Sequence, residues 1–389
     1  MAKRKTRIEQ LRVRADTGDA EAQYNLGNIS YDGDGIRRSP KKAASYFLKA
    51  ALQGHTTAQC AIGCLYSSGE GLKKDRRKAL KWWRKAAKQG NNHAQYNIGD
   101  AYYFGDGVRR DFRIAMSWFK PSAQGGNRDA QYSLGFMYFH GVGVKRNYKS
   151  ALKWFTKATE RDDVDAKAYL GEMYEYGLGV KANRRTAVKW YRKAAEGGDP
   201  ESQVSLGYCY FYGEGVRKNR KEAVKWYRKA AKQGSATAYF NLGLCYRYGD
   251  VVKKSFKRSL AWFHKAAAKG HIRAQFWIGY SYWWGLGEPE NPKLAFKWFK
   301  RAALAGDAEA QGYIGICYHD GHGVRNNFKE AVNWYRVSAK QNDKYAQYCL
   351  GLCYRDGEGV RKNARLARIW LAKALANGEA LAKKVLAEL

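Results

Sequence analysis

The chain has 389 residues, 45% of them apolar and 15% aromatic, and a formal net charge of +36. That apolar content excludes a disordered chain, and no run approaches the roughly 20 apolar residues of a membrane-spanning helix. The charge excess points toward acidic or polyanionic partners.

Residues 1–18 open with MAKRKTRIEQ, which is charged and has no apolar core. No secretory leader is expected, and the chain is expected to be cytoplasmic, or nuclear in a eukaryote through the short KRK cluster. Ile8, Leu11 and Ala15 recur at helical spacing. This predicts a lone capping helix, with Leu11 and Ala15 in register with Phe47 and Ala51.

From residue 19 to residue 378 a unit of 36 residues is written ten times without insertion or deletion. A fixed period of this length means stacked supersecondary units rather than one globular core. Asp199–Gly234 serves as the example. Asp199 is placed to cap a helix and Pro200 to start it. Ser202, Leu206, Gly207 and Tyr210 then share one face. The Leu206 position is Leu or Ile in all ten copies, and Gly207 recurs in all ten. Glycine inside a helix costs about 1 kcal/mol relative to alanine, so its recurrence predicts close helix packing. Gly213 recurs in every copy, and Gly215 in all but one, where Val251 replaces it; both read as turn positions needing positive φ. A second helix follows, with Ala223, Trp226, Tyr227, Ala230 and Ala231 as its apolar stripe.

Several copies deviate. Pro121 lies inside a second helix and is expected to bend it or shorten its last turn. Glu160, Asp162, Asp163 and Asp165 form an acidic patch, and Glu288-Pro289-Glu290-Asn291-Pro292 replaces a basic loop. These read as local bends or partner contacts. Residues 379–389 match the start of an eleventh unit, with Ala382 and Leu386 in register, and predict a second cap.

The recurring A-x-x-x-L-G-x-x-Y-x-x-G-x-G-V and A-x-x-W-Y-x-K-A-A-x-x-G residues resemble the Sel1-like repeats, relatives of the tetratricopeptide repeats. The resemblance implies an all-α, right-handed α-solenoid of antiparallel helix pairs. It also implies a non-enzymatic scaffold for a protein or peptide partner. The cysteine-rich secreted branch of that family ties each helix pair with a disulfide. The seven cysteines here all fall on first helices, so the penicillin-binding activity of that branch does not carry over.

The ten copies serve as an internal comparison. Positions one, four and five after the constant glycine vary, and by the tetratricopeptide analogy they line a concave groove. They are rich in rings: Tyr103, Phe104, Phe136, Phe139, Tyr176, Tyr208, Phe211, Tyr212, Tyr248, Tyr280, Trp283 and Trp284. Exposed rings suit peptide anchors or stacked bases. Basic pairs follow the turns: Arg37-Arg38, Lys73-Lys74, Arg109-Arg110, Lys145-Arg146, Arg217-Lys218, Lys253-Lys254 and Arg361-Lys362. Trios such as Lys81, Arg84 and Lys85 lie on the second helices. Such stripes attract polyanions with salt-dependent affinity, or are a solvated face whose stems cover apolar surface.

Catalytic chemistry is not indicated. The G-x-G triplets follow helices, not strands, and no Walker-type phosphate loop is present. Cys317, His319 and His322 lie within six residues, but the cysteine holds a packing position, so no metal and no cofactor is expected. An odd cysteine count fits a reducing compartment. The expected function is a monomeric adaptor that holds a protein or peptide partner in the groove. The alternative is a basic solenoid that binds nucleic acid or another polyanion.

Overall fold

The structure is a computed structural model, which describes residues 2–389, with side chains from residue 6. The described residues form 22 helices and no strand. Helix α1 (Ala2–Asp16) precedes five pairs: α2 (Ala20–Asp32) with α3 (Pro40–Leu52), α4 (Thr56–Ser68) with α5 (Arg76–Lys88), α6 (Asn92–Phe104) with α7 (Phe112–Gln124), α8 (Arg128–His140) with α9 (Tyr148–Thr159), and α10 (Val164–Tyr176) with α11 (Arg184–Glu196). These belong to one compact unit, which ends at Gly197. The second unit, Gly198–Leu389, holds α12 (Pro200–Tyr212) with α13 (Arg220–Lys232), α14 (Ala236–Tyr248) with α15 (Phe256–Ala268), α16 (Ile272–Trp283) with α17 (Pro292–Leu304), α18 (Ala308–Asp320) with α19 (Phe328–Lys340), α20 (Lys344–Asp356) with α21 (Ala364–Ala376), and finally α22 (Leu381–Ala387).

The sequence supplies each boundary. Asp199 accepts from the Ser202 N–H at 2.6 Å, which caps α12. Gly213 closes the helix at φ 85°, and its N–H donates to the Cys209 carbonyl. The cap of each second helix is tied back in turn. Asp75 N–H donates to Tyr66 O at 2.8 Å, and the equivalent bond recurs from Ser39 to Asn363. Gln23 near the start of α2 accepts from Gln53 just past the end of α3, at 2.9 Å, so the helices of a pair are antiparallel.

The glycine on each first helix has a definite neighbour. A Cβ on Gly207 would stand 2.5 Å from the Tyr227 ring, and one on Gly63 2.5 Å from the Trp83 ring. The second helix therefore presses its large side chain directly onto first-helix backbone. Phe119, Phe155, Phe263 and Phe299 are fully buried in this way, each contributing about 1.5–3 kcal/mol. The core then continues into the next repeat: Ala79, Trp83 and Ala86 pack with Ala94 and Ile98.

Buried glutamines add a polar link between repeats. Gln59 donates to Ala51 O at 3.1 Å and accepts from Gln89 at 2.8 Å, so one amide joins three helices and satisfies a helix-end carbonyl. Gln311 and Gln347 repeat the arrangement. Gln131 breaks it, because Arg161 stands where a glutamine or asparagine partner is found elsewhere, and its Oε1 is buried without a partner.

One expectation needs correction, and another gains a further reason. Pro121 does not shorten its helix; α7 has 13 residues, as most second helices do. The ring falls in the last turn, so one backbone bond is lost while buried Ala115, Phe119 and Ala123 hold the helix in place. The second turn glycine is more than a turn former. A Cβ on Gly107, at φ 74°, would stand 2.6 Å from Arg76 Cβ of the preceding repeat. Val251 avoids positive φ, which among described non-glycine residues only Asp162 and Asn342 adopt. A β-branched side chain disfavours that region, so this turn takes another path.

At the ends, Ile8 and Ala15 of α1 are buried against Ala22 and Leu26. On α22 the buried residues are Ala382 and Val385, with Leu386 only partly covered.

Candidate functional site: the first-helix face

The ring-rich positions divide sharply by depth. The residue before the first turn glycine points to solvent: Phe104 and Tyr176 in the first unit, and Tyr212, Tyr248 and Trp284 in the second, are 53–66% exposed. Tyr208 is also exposed. Tyr103, Phe136, Phe211, Tyr280 and Trp283 are half-buried. Phe139 is buried and belongs to the core. Its ring lies 5.3 Å from Tyr148 and 5.0 Å from Tyr169, so it is covered by the neighbouring rings rather than offered to a partner.

Three cavities open along this face. In the first unit, a cavity of about 440 Å³ is lined by Tyr96, Tyr103, Phe104, Tyr132 and Phe136 with Asp100, Arg128, Asp129, Asp163 and Asp165. In the second, one of about 540 Å³ is lined by Trp283, Trp284, Tyr313 and Tyr345 with Glu309, Asp343 and Lys344. Another, of about 410 Å³, lies among Tyr208, Phe211, Tyr212, Phe240 and Tyr248. Gly312 opens the largest: nothing stands within 3.4 Å of a Cβ built there. Tyr96, Tyr132, Tyr313 and Tyr345 were missed by the reading from sequence, because they precede the constant glycine. Their variation from copy to copy was the available signal.

The basic residues are arranged differently. All fourteen members of the turn pairs are exposed. Four of the second members lean on rings: Arg38 over Tyr31 at 5.2 Å, Arg110 over Phe112 and Arg146 over Tyr148 at 5.3 Å, and Lys254 over Phe256 at 4.8 Å. Arg38 also pairs with Glu70 of the next turn. On the second helices, Lys85 sits 4.4 Å from the Trp82 centroid, Lys193 4.6 Å from Trp190 and Lys229 3.9 Å from Trp226. Part of the basic surface is thus engaged in covering the tryptophans.

The Sel1 repeat pattern matches ten consecutive segments, from 20–55 to 344–379, without a gap. The chain belongs to the Sel1 repeat family. A crystal structure of c5321, a protective antigen of uropathogenic Escherichia coli with an SLR fold, is 35% identical; the match covers 98% of this chain and 82% of that one, with a TM-score of 0.87. A Sel1 repeat protein from Oxalobacter formigenes is 30% identical over 79% of this chain and 89% of its own, with a TM-score of 0.62. No curated protein matches the chain. The fold is therefore a Sel1-repeat solenoid. No helix among the described residues is long and apolar enough to cross a membrane.

Within this Sel1 array the charge is segregated. In the first unit, the five paired first helices carry Glu21, Asp32, Asp100, Asp129, Asp165, Glu172 and Glu175 against Arg128 and Lys167. Their five partner helices carry a single carboxylate, Glu196, among many Lys and Arg residues. The net charge of the chain hides an acidic face. Burial pushes the Asp100 carboxyl above the ordinary carboxylate range. It also raises Asp163, against the pull of the Ala166 N–H and Arg128. Glu172 rises through burial and the neighbouring Glu175. Arg128 bonds Asp129 at 3.1 Å and lies 3.5 Å from Asp163.

The cysteines and histidines do not assemble. Cys317 is buried, His319 bonds Glu358 at 2.8 Å, and His322 packs 4.1 Å from Trp283. Among the described residues no group of three or more His, Cys, Asp or Glu is placed to hold a metal. Asn97 donates to Cys64 at 3.4 Å beside Cys60, and none of the seven cysteines is in a disulfide.

Proposed function

We propose that the chain is a non-enzymatic adaptor, whose first-helix faces hold an extended peptide segment of a partner protein. One observation carries this reading: the exposed rings Phe104, Tyr176, Tyr212, Tyr248 and Trp284 occupy the same repeat position, and all but Tyr176 line open cavities. A packed array has no structural need to leave its largest apolar side chains in water, whereas anchor residues of an interface are of this type. Sel1 repeats support the reading, since the family fold is that of interaction scaffolds. Free cysteines fit a reducing compartment, and α1 and α22 act as caps for the array. Selection of a displayed random-peptide library on the full chain tests it. Enriched peptides should bind, and Tyr212→Ala, Tyr248→Ala and Trp284→Ala should weaken those seated in the second unit. Failure to enrich any peptide overturns the reading.

A second reading is favoured by the nearly uniform positive charge of the second helices: this face binds a polyanion. Anisotropy with a single-stranded RNA and a duplex DNA across a salt series tests it. Affinity that persists at physiological salt and falls when Lys81 and Arg84 of α5 become Glu supports it. Loss with modest salt alone refutes it.

A further inference from the structure

The first-unit cavity combines two features that the basic composition of the chain does not lead one to expect. Its walls are aromatic and its rim is acidic. Arg128 is held between Asp129 and Asp163. Asp100 and Asp165 form no ion pair among the described residues. Asp100 is half-buried beside Tyr96 and Tyr103. The nearby Arg76 is paired with Asp106, so the partly buried Asp100 carboxylate is incompletely compensated, which is costly. An anionic occupant would add to that cost, and a neutral apolar one would leave it in place. A cation lowers it twice, through the carboxylates and through the negative faces of the rings. The volume, about 440 Å³, falls in the range of pockets that enclose a small ligand or one long side chain.

The rest of the chain does not oppose such an occupant. The cations beside the cavity are already engaged, Arg128 by Asp129 and Asp163 and Arg76 by Asp106. The Debye length at physiological salt is about 8 Å, so the repulsion of more distant basic side chains is largely screened at the first-helix face.

We propose that this cavity receives a cationic side chain, arginine or lysine, from an extended segment of a partner protein. The proposal rests on the reading of the first-helix face as the interaction surface, and it reverses the expectation that the partners are acidic.

The test uses the full chain and two labelled peptides, Gly-Ser-Arg-Gly-Ser-Arg-Gly-Ser and its counterpart with Glu at both Arg positions. The arginine peptide should bind saturably and the glutamate peptide at least tenfold more weakly. Asp100→Asn combined with Asp165→Asn should weaken the arginine peptide at least tenfold, as should Phe104→Ala. The thermal melts of these variants report whether the fold is kept. A second pair, Asp32→Asn with Glu21→Gln, removes acidic charge outside the cavity and should leave binding within twofold. Equal binding of both peptides, or arginine binding that ignores the cavity variants, overturns the proposal. If library peptides without a basic residue bind this face while the arginine peptide does not, the cationic occupant is refuted and the adaptor reading stands. If neither binds, both fall.

Discussion

Phe155 lies flat against the backbone of Gly135, so close that a Cβ on the glycine would stand 2.5 Å from the ring. The ring is fully buried between two repeats and cannot move away without opening the core. Gly135→Ala should therefore destabilise the first unit by about 2–3 kcal/mol, the scale of overpacking a tight core. Gly351→Ala should cost less, because its nearest neighbour is the flexible Leu371 side chain at 2.6 Å. Gly312→Ala should be neutral or stabilising by up to about 1 kcal/mol, since the helix gains propensity and nothing is crowded. Urea melts of the three variants give the ordering. Equal costs at Gly135 and Gly312 would refute the ring-on-glycine account.

The helix pairs and the capping residues were legible because they recur. Asp199, Pro200, Gly207 and Gly213 do what their chemistry requires in any helix pair. What the sequence left hidden was contact across the 36-residue period. Nothing local says that Gly107 must clear Arg76 of the previous repeat, or that Gln59 reaches both Ala51 and Gln89. Phe139 looked like its exposed neighbours because its burial depends on Tyr148 and Tyr169, which lie on two other helices. The acidic face was visible in principle. Summing charge over the chain concealed it, whereas summing it over first and second helices separately reveals it.

Two positions carry departures from the repeat that the structure does not reward. Asn342 holds φ at 66°, where most copies have glycine. Asn342→Gly should relieve that conformation and gain about 0.5–1 kcal/mol. Arg161→Gln should give the orphaned Gln131 Oε1 a donor and gain about 1 kcal/mol. Thermal denaturation of each variant checks the sign. A lower midpoint for Arg161→Gln would mean that the guanidinium contributes more than the missing hydrogen bond costs.

Asp100 links stability to pH. Its folded carboxyl titrates above the ordinary range, through burial and in spite of the Tyr96 hydroxyl and the nearby Arg76 charge. Its contribution to stability is therefore full below the unfolded carboxylate pKa and is lost as pH rises through the folded value. Asp100→Asn should raise the melting temperature at pH 7, by about 1–2 °C, and by nothing measurable near pH 3. Melts at both pH values decide it. A variant less stable than the parent at pH 7 would show that the ionised carboxylate is compensated within the fold.

Cys64 should be the most reactive thiol of the chain. Cys60 one turn away and the Asn97 amide at 3.4 Å both favour its thiolate, and they hold it below the ordinary thiol range. Burial pushes other thiols the opposite way, Cys245 up to about 11 and Cys317 and Cys353 up to about 12. Because the thiolate is the nucleophile, iodoacetamide at pH 7 should modify Cys64 at least tenfold faster than these buried thiols. Asn97→Leu removes one donor and should slow that labelling at pH 7, with the difference closing as the pH approaches 10. Mass spectrometry of peptides after timed quenching follows each site. If Cys64 reacts no faster than Cys317, or if Asn97→Leu leaves its rate unchanged, the amide does not support the thiolate.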